Sequence, residues 1–107
     1  GEMDQAIKSD PKSANFYVLR GLYYDEQGDH AHAISDNTKA IEIDPHCSMA
    51  YNNRGFNYYE EGNYTHAIAD FAKAMSLDAK NTRAYFNQAD AYERTGSFSL
   101  ALPITPV

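Results

Sequence analysis

The side chains in this chain most able to do chemistry are four histidines, one cysteine, paired carboxylates and several amides. His46 and Cys47 are sequence neighbours, but no second such pair completes the four-ligand set of a structural zinc. His32 and His66 lie 34 residues apart. If that spacing is one stacked helical unit, they stand about 10 Å apart, too far to share an ion. His30, His32, His46 and His66 therefore read as solvated surface residues, and neither a metal nor a cofactor is expected. Asp10-Pro11 and Asp44-Pro45 read as turns, and Glu60-Glu61 as a pair facing solvent or the edge of a groove. No nucleophile–base set, phosphate-cradling glycine loop or cofactor motif is visible, so an enzyme is not expected. Asn53 and Asn87, again 34 apart, remain. An amide donates and accepts at once, which suits it to holding a peptide main chain.

The elements that would position these residues are set by the same period. Tyr17, Tyr51 and Tyr85 form one series, and Tyr24, Tyr58 and Tyr92 a second. Gly28, Gly62 and Gly96 recur in phase, as do Ala33, Ala67 and Ala101, Ala6, Ala40 and Ala74, and Asp10, Asp44 and Asp78. Gly21 and Gly55 give way to Ala89, and Pro11 and Pro45 to Ala79. The period divides the chain into the tail of a unit (1–13), two full units (14–47 and 48–81) and a partial unit (82–107) whose second helix Pro103 cuts short.

Each unit reads as two helices. Tyr51, Gly55, Tyr58 and Gly62 are spaced 4, 3 and 4, which places them on one helical face. Gly62 ends that helix, because glycine enters the left-handed cap without steric cost. Asn63, like Asp29 and Ser97, can cap a second helix, in which Ala67, Phe71, Ala74 and Met75 form the apolar stripe. Ser13 and Asn81 are good caps for first helices; Cys47 is not. First helices are expected near 15–27, 49–61 and 83–94, second helices near 30–43 and 64–77, and the tail of a second helix at 2–10. Small residues at Gly21, Gly55, Ala33 and Ala67 let paired helices approach closely, with the two tyrosine series filling the space between.

Together these residues resemble the tetratricopeptide repeat (TPR) family, whose signature matches Tyr51, Gly55, Tyr58, Gly62, Ala67, Phe71 and Ala74, with Ala79 where proline is usual. The resemblance implies an all-α fold, a right-handed α-solenoid of antiparallel helix hairpins. Two departures stand out. Arg20 and Arg54 precede the glycines where an aliphatic residue is usual, and Asn37 replaces the large apolar residue. The latter should loosen its hairpin or call for a buried hydrogen bond.

The resemblance also implies that first helices line a concave groove. The stripe beside the packing face is Met49, Asn52, Asn53, Phe56, Tyr59 and Glu60. Its counterparts are Asn15, Val18, Leu19, Leu22, Asp25 and Glu26 before it, and Arg83, Phe86, Asn87, Asp90, Glu93 and Arg94 after it. A peptide or protein partner is expected there, on Leu19, Leu22, Asn52, Asn53, Phe56, Tyr59, Arg83, Phe86 and Asn87. The carboxylate clamp of such repeats, which grips acidic chaperone C-termini, would fall on Val18, Leu22, Asn53, Arg83 and Asn87. Only Asn53 matches it and Arg83 partly does, so that ligand is not expected.

A net charge of −6 argues against nucleic acid and anionic membrane as partners. No apolar run is long enough to cross a bilayer. With a single cysteine and no secretory signal, a cytoplasmic location is expected. The chain is expected to be a piece of a longer array, and its ends, residues 1–10 and 98–107, to self-associate. A protein-interaction scaffold is the leading expectation. A self-assembly element, or a repeat segment beside a catalytic domain elsewhere, are the alternatives.

Overall fold

The computed structural model describes residues 1–96, in which six helices follow one another and no strand occurs. They are α1 (Glu2–Ser9), α2 (Ala14–Glu26), α3 (His30–Ile43), α4 (Ser48–Glu60), α5 (Tyr64–Leu77) and α6 (Thr82–Arg94). The boundaries expected from the period agree to within a residue or so for α2 to α6. Ser13 accepts from the Phe16 amide, Asp29 from His32, Asn63 from His66 and Asn81 from Ala84. Cys47 stands at the α4 N-cap with no side-chain cap bond. Gly28, Gly62 and Gly96 have φ of +80°, +81° and +75°, so each sharp exit from a first helix uses a conformation that costs other residues strain.

Neighbouring helices pack in order, most extensively as the hairpins α2–α3 and α4–α5. First helices also touch one another, α2 against α4 and α4 against α6, whereas α1, α3 and α5 make no comparable contacts among themselves. The array therefore curves towards its first helices, and that face is the concave one. α1 already buries Ile7, with Met3 and Ala6 partly covered. The C-terminal half of the self-association expectation lies outside the described residues.

Close approach is what the small residues provide. Ala33, Ala40, Ala50, Ala67, Ala74, Ala84 and Ala91 are fully buried. A Cβ on Gly55 would lie 2.8 Å from Cε1 of the buried Phe71 ring, and one on Gly21 would lie 3.2 Å from Nδ2 of Asn37. The two glycines thus face opposite chemistries at the same repeat position.

The two arginines that break the sequence pattern are held by acids. Arg54 donates from Nε and Nη2 to the two oxygens of Asp70, both at 2.8 Å, and from Nη1 to Thr38 Oγ1 at 3.1 Å. Arg20 does the same with Asp36 at 2.7 Å and reaches Asp4 at 2.9 Å. These bidentate bonds hold both guanidinium pKa values above the usual range, against the opposing effect of burial. Tyr17 and Tyr24 bracket Arg20, and Tyr51 and Tyr58 bracket Arg54, with the guanidinium carbon 5.6–6.0 Å from each ring. One member of the tyrosine series departs from its expected packing role: Tyr85 is 52% exposed. Gln88 occupies the arginine position there and turns to the Ile68 carbonyl, so no cation anchors that ring.

A concave groove with an acidic end

Because hairpins are antiparallel, successive first helices run the same way. Their C-terminal ends lie along one edge of the concave face and their N-terminal ends along the other. Between them is a cavity of about 450 Å³ lined by Gly21, Leu22, Asp25, Glu26, Asn37, Asn52, Asn53, Phe56, Asn57, Arg83 and Asn87. It continues along the N-terminal edge past Met49, Asp78, Lys80 and Thr82. Asp25, Glu26 and Glu60 close α2 and α4, where helix dipoles are already negative. Arg83 and Lys80 lie at the opposite edge, near the positive start of α6.

Of the residues expected to meet a partner, Leu22, Asn52, Asn53, Phe56, Arg83 and Asn87 come together around this cavity. Leu19 and Phe86 do not line it; they are exposed large side chains, at 47% and 76%. Tyr59 turns aside, donating a hydrogen bond to Asp90 and stacking on Phe56 with ring centroids 5.9 Å apart. That bond to Asp90 raises the Tyr59 pKa. Asn52 is only 4% exposed, and its Oδ1 has no hydrogen-bond partner among the described residues. Val18, placed on the groove stripe by register, belongs instead to the core with Ala40 and Ala50.

At the acidic end, Asn37 and Asp25, both singled out from the sequence, meet two residues whose roles sequence reasoning missed, Asn57 and His30. Asn37 is 1% exposed and donates from Nδ2 to Asn57 Oδ1 at 2.9 Å, the buried hydrogen bond that was one of its two expected outcomes. Asn57, 3% exposed, donates in turn to Asp25 Oδ1 at 3.0 Å. His30 Nδ1 lies 2.9 Å from the same oxygen and 3.7 Å from Glu60 Oε1. His32, His46 and His66 are exposed as expected, but His30 is half-buried in this cluster, because α3 begins beside the last turn of α2. Burial raises the Glu60 pKa to about 7, with the neighbouring Asp25 carboxylate adding to the rise and His30 opposing it. The signal for the cluster was available as departures from the repeat, since Tyr64 stands where His30 does and Ala91 where Asn57 does.

No helix among the described residues is long and apolar enough to cross a membrane. A search of curated protein sequences returns no match. Tetratricopeptide repeat models match residues 14–47 and 55–96. Among solved structures, the Arabidopsis OM64 TPR domain is 29% identical, with a TM-score of 0.84 over 86% of this chain and 76% of that one. The first TPR of Spaghetti (RPAP3), bound to the HSP90 peptide SRMEEVD, is 26% identical, with a TM-score of 0.79 over 82% of this chain and 72% of that one. YrrB, described as a TPR protein with an unusual peptide-binding site, superposes with a TM-score of 0.88 at 22% identity, covering 96% of this chain and 53% of YrrB. The six helices, the glycine exits and these matches agree: the chain belongs to the tetratricopeptide repeat family, as an α-solenoid of helix hairpins.

Proposed function

We propose that the chain is a protein-interaction module whose concave groove holds an extended peptide segment of a partner protein. The observation that carries this reading is the convergence of Leu22, Phe56, Asn53, Asn87 and Arg83, from three separate helices, on one cavity. Asn53 and Asn87 would hold the peptide main chain, each amide adding about 0.5–1.5 kcal/mol. Leu22 and Phe56 would shelter an apolar side chain. The structural relatives bound to the HSP90 peptide support a peptide as the type of ligand. The groove of this chain favours a different charge pattern. Val18 and Leu22 stand where the carboxylate clamp needs polar or cationic groups, and Asp25, Glu26 and Glu60 would repel an acidic peptide at one edge. A segment with a cationic residue towards that edge fits better.

Peptides selected from a displayed library against the wild-type protein test this by fluorescence polarisation. Phe56→Ala and Asn53→Ala with Asn87→Ala are expected to weaken binding roughly tenfold or more each, since about 1.4 kcal/mol is one decade of affinity. Lys12→Ala, outside the cavity lining, is expected to leave affinity unchanged. Selected peptides whose affinity is indifferent to all the groove substitutions would overturn the proposal.

A further inference from the structure

The polar cluster at the acidic end is not required by the fold. One repeat further on, the positions of Asp25, His30, Asn37 and Asn57 are taken by Tyr59, Tyr64, Phe71 and Ala91. There the same layer is aromatic and apolar: Tyr59 meets Tyr64 edge to face at 5.5 Å, and Phe71 packs with Ala91 in the core. Four positions have therefore changed character together in the first layer, burying two amides that an apolar pair could replace. Buried polar groups are costly unless paired, and here the pairing converges on the Asp25 carboxylate, which Asn57 and His30 both contact.

We propose that Asp25, His30 and Glu60 form a site for one divalent transition-metal ion, with Zn²⁺ the best fit. Their ligand atoms all lie within 4.8 Å of one another. They come from the last turn of α2, the first residue of α3 and the last residue of α4, so an ion held by them would tie two hairpins together. One imidazole nitrogen and two carboxylate oxygens suit a borderline ion such as Zn²⁺, which accepts three protein ligands and keeps a fourth position for water. Ca²⁺ and Mg²⁺ prefer six or more oxygens and gain nothing from the imidazole. The Asn37–Asn57–Asp25 hydrogen-bond chain is the kind of outer support that orients a ligating carboxylate. In the free protein His30 Nδ1 donates to the Asp25 carboxylate; on loading, that Nδ1 proton would leave to solvent while the ring keeps or takes up its proton on Nε2, so that the Nδ1 lone pair is free for the ion. Two carboxylates would then balance the charge of the ion, and any proton they held would pass to solvent. The site adjoins the groove, since Asp25 lines its cavity and Asp25 and Glu60 supply charge at its acidic edge, but holding an ion needs no peptide and is tested without one.

Isothermal titration of ZnCl₂ into the chelator-treated, untagged full chain tests the proposal, with circular dichroism confirming that each variant is folded. One Zn²⁺ per chain is expected, with a rise in thermal midpoint. His30→Gln and Glu60→Gln are each expected to weaken binding by at least about tenfold, the lower bound seen when even outer support is lost. His32→Gln and Cys47→Ser are expected to bind as the wild type does, and MgCl₂ to give no saturable heat. Absence of Zn²⁺ binding, or binding that survives His30→Gln and is lost in His32→Gln or Cys47→Ser, would overturn it.

Discussion

The hairpins α2–α3 and α4–α5 share a backbone plan and differ in what fills it. In α4–α5, Gly55 faces Phe71, and the next first helix offers Ala91 to the same ring. In α2–α3, Gly21 faces Asn37, and the next first helix offers Asn57, which bonds to it. The pairs Asn37–Asn57 and Phe71–Ala91 occupy equivalent repeat positions. One interface is dry and gains from area and close packing. The other depends on partners for its polar atoms, and one of those, Asn37 Oδ1, has none among the described residues. The layer around Phe71 is thus held by apolar packing, whereas the layer around Asn37 buries two facing amides beside the groove.

Truncating the two facing side chains should expose the difference most strongly. Phe71→Ala removes a fully buried ring and is expected to cost about 3–5 kcal/mol in urea unfolding. Asn37→Ala deletes no comparable volume but leaves Asn57 Oδ1 unpaired, for an expected cost of about 1–3 kcal/mol. Equal costs would mean that the two interfaces are not different in kind. A smaller contrast is expected at the glycines. Gly55→Ala would place a Cβ 2.8 Å from the Phe71 ring, which cannot swing away, so a loss of about 1–3 kcal/mol is expected. Gly21→Ala meets Asn37 Nδ2 at 3.2 Å, a contact that a slight shift relieves. Alanine's higher helix propensity offsets the strain there, and the thermal midpoint should move little.

Converting one interface into the other sharpens the comparison further. Asn37→Phe alone crowds Asn57 and strands its amide, and Asn57→Ala alone leaves Asn37 with no partner. Together they recreate the Phe71–Ala91 pair. A double-mutant cycle is expected to show favourable coupling of about 0.5–3 kcal/mol, the size typical of residues in direct contact. Additive behaviour would show that the two positions do not act as a pair.

How much of this was readable from sequence follows from what recurs. The helices, their glycine exits and their caps return every 34 residues and were legible from Tyr, Gly and Asn series alone. The Arg20 and Arg54 departures were visible, but their partners Asp36 and Asp70 were missed, although they too are 34 apart. A charge pair reaching across a hairpin has no signature in helical periodicity. The polar cluster was harder still. Asn37 stood out as a departure from the repeat, but its partner Asn57 and the neighbouring Asp25 and His30 are departures too, and a search for sameness passes over them as a group. Register placed Leu19, Phe86 and Tyr59 on the groove stripe, but side-chain direction decided otherwise for the cavity: the Tyr59 hydroxyl is drawn to Asp90.

The claim at the centre of this account is that the concave face between α2, α4 and α6 receives an extended segment of a partner. Chemical-shift mapping of the ¹⁵N-labelled protein with a selected peptide measures that directly. The account expects the largest perturbations at the side-chain amides of Asn53 and Asn87 and the backbone of Leu22, Phe56 and Arg83, with α5 and the rest of α3 beyond Asn37 silent. Perturbations confined to α3 and α5, or to the ends of the array, would contradict it.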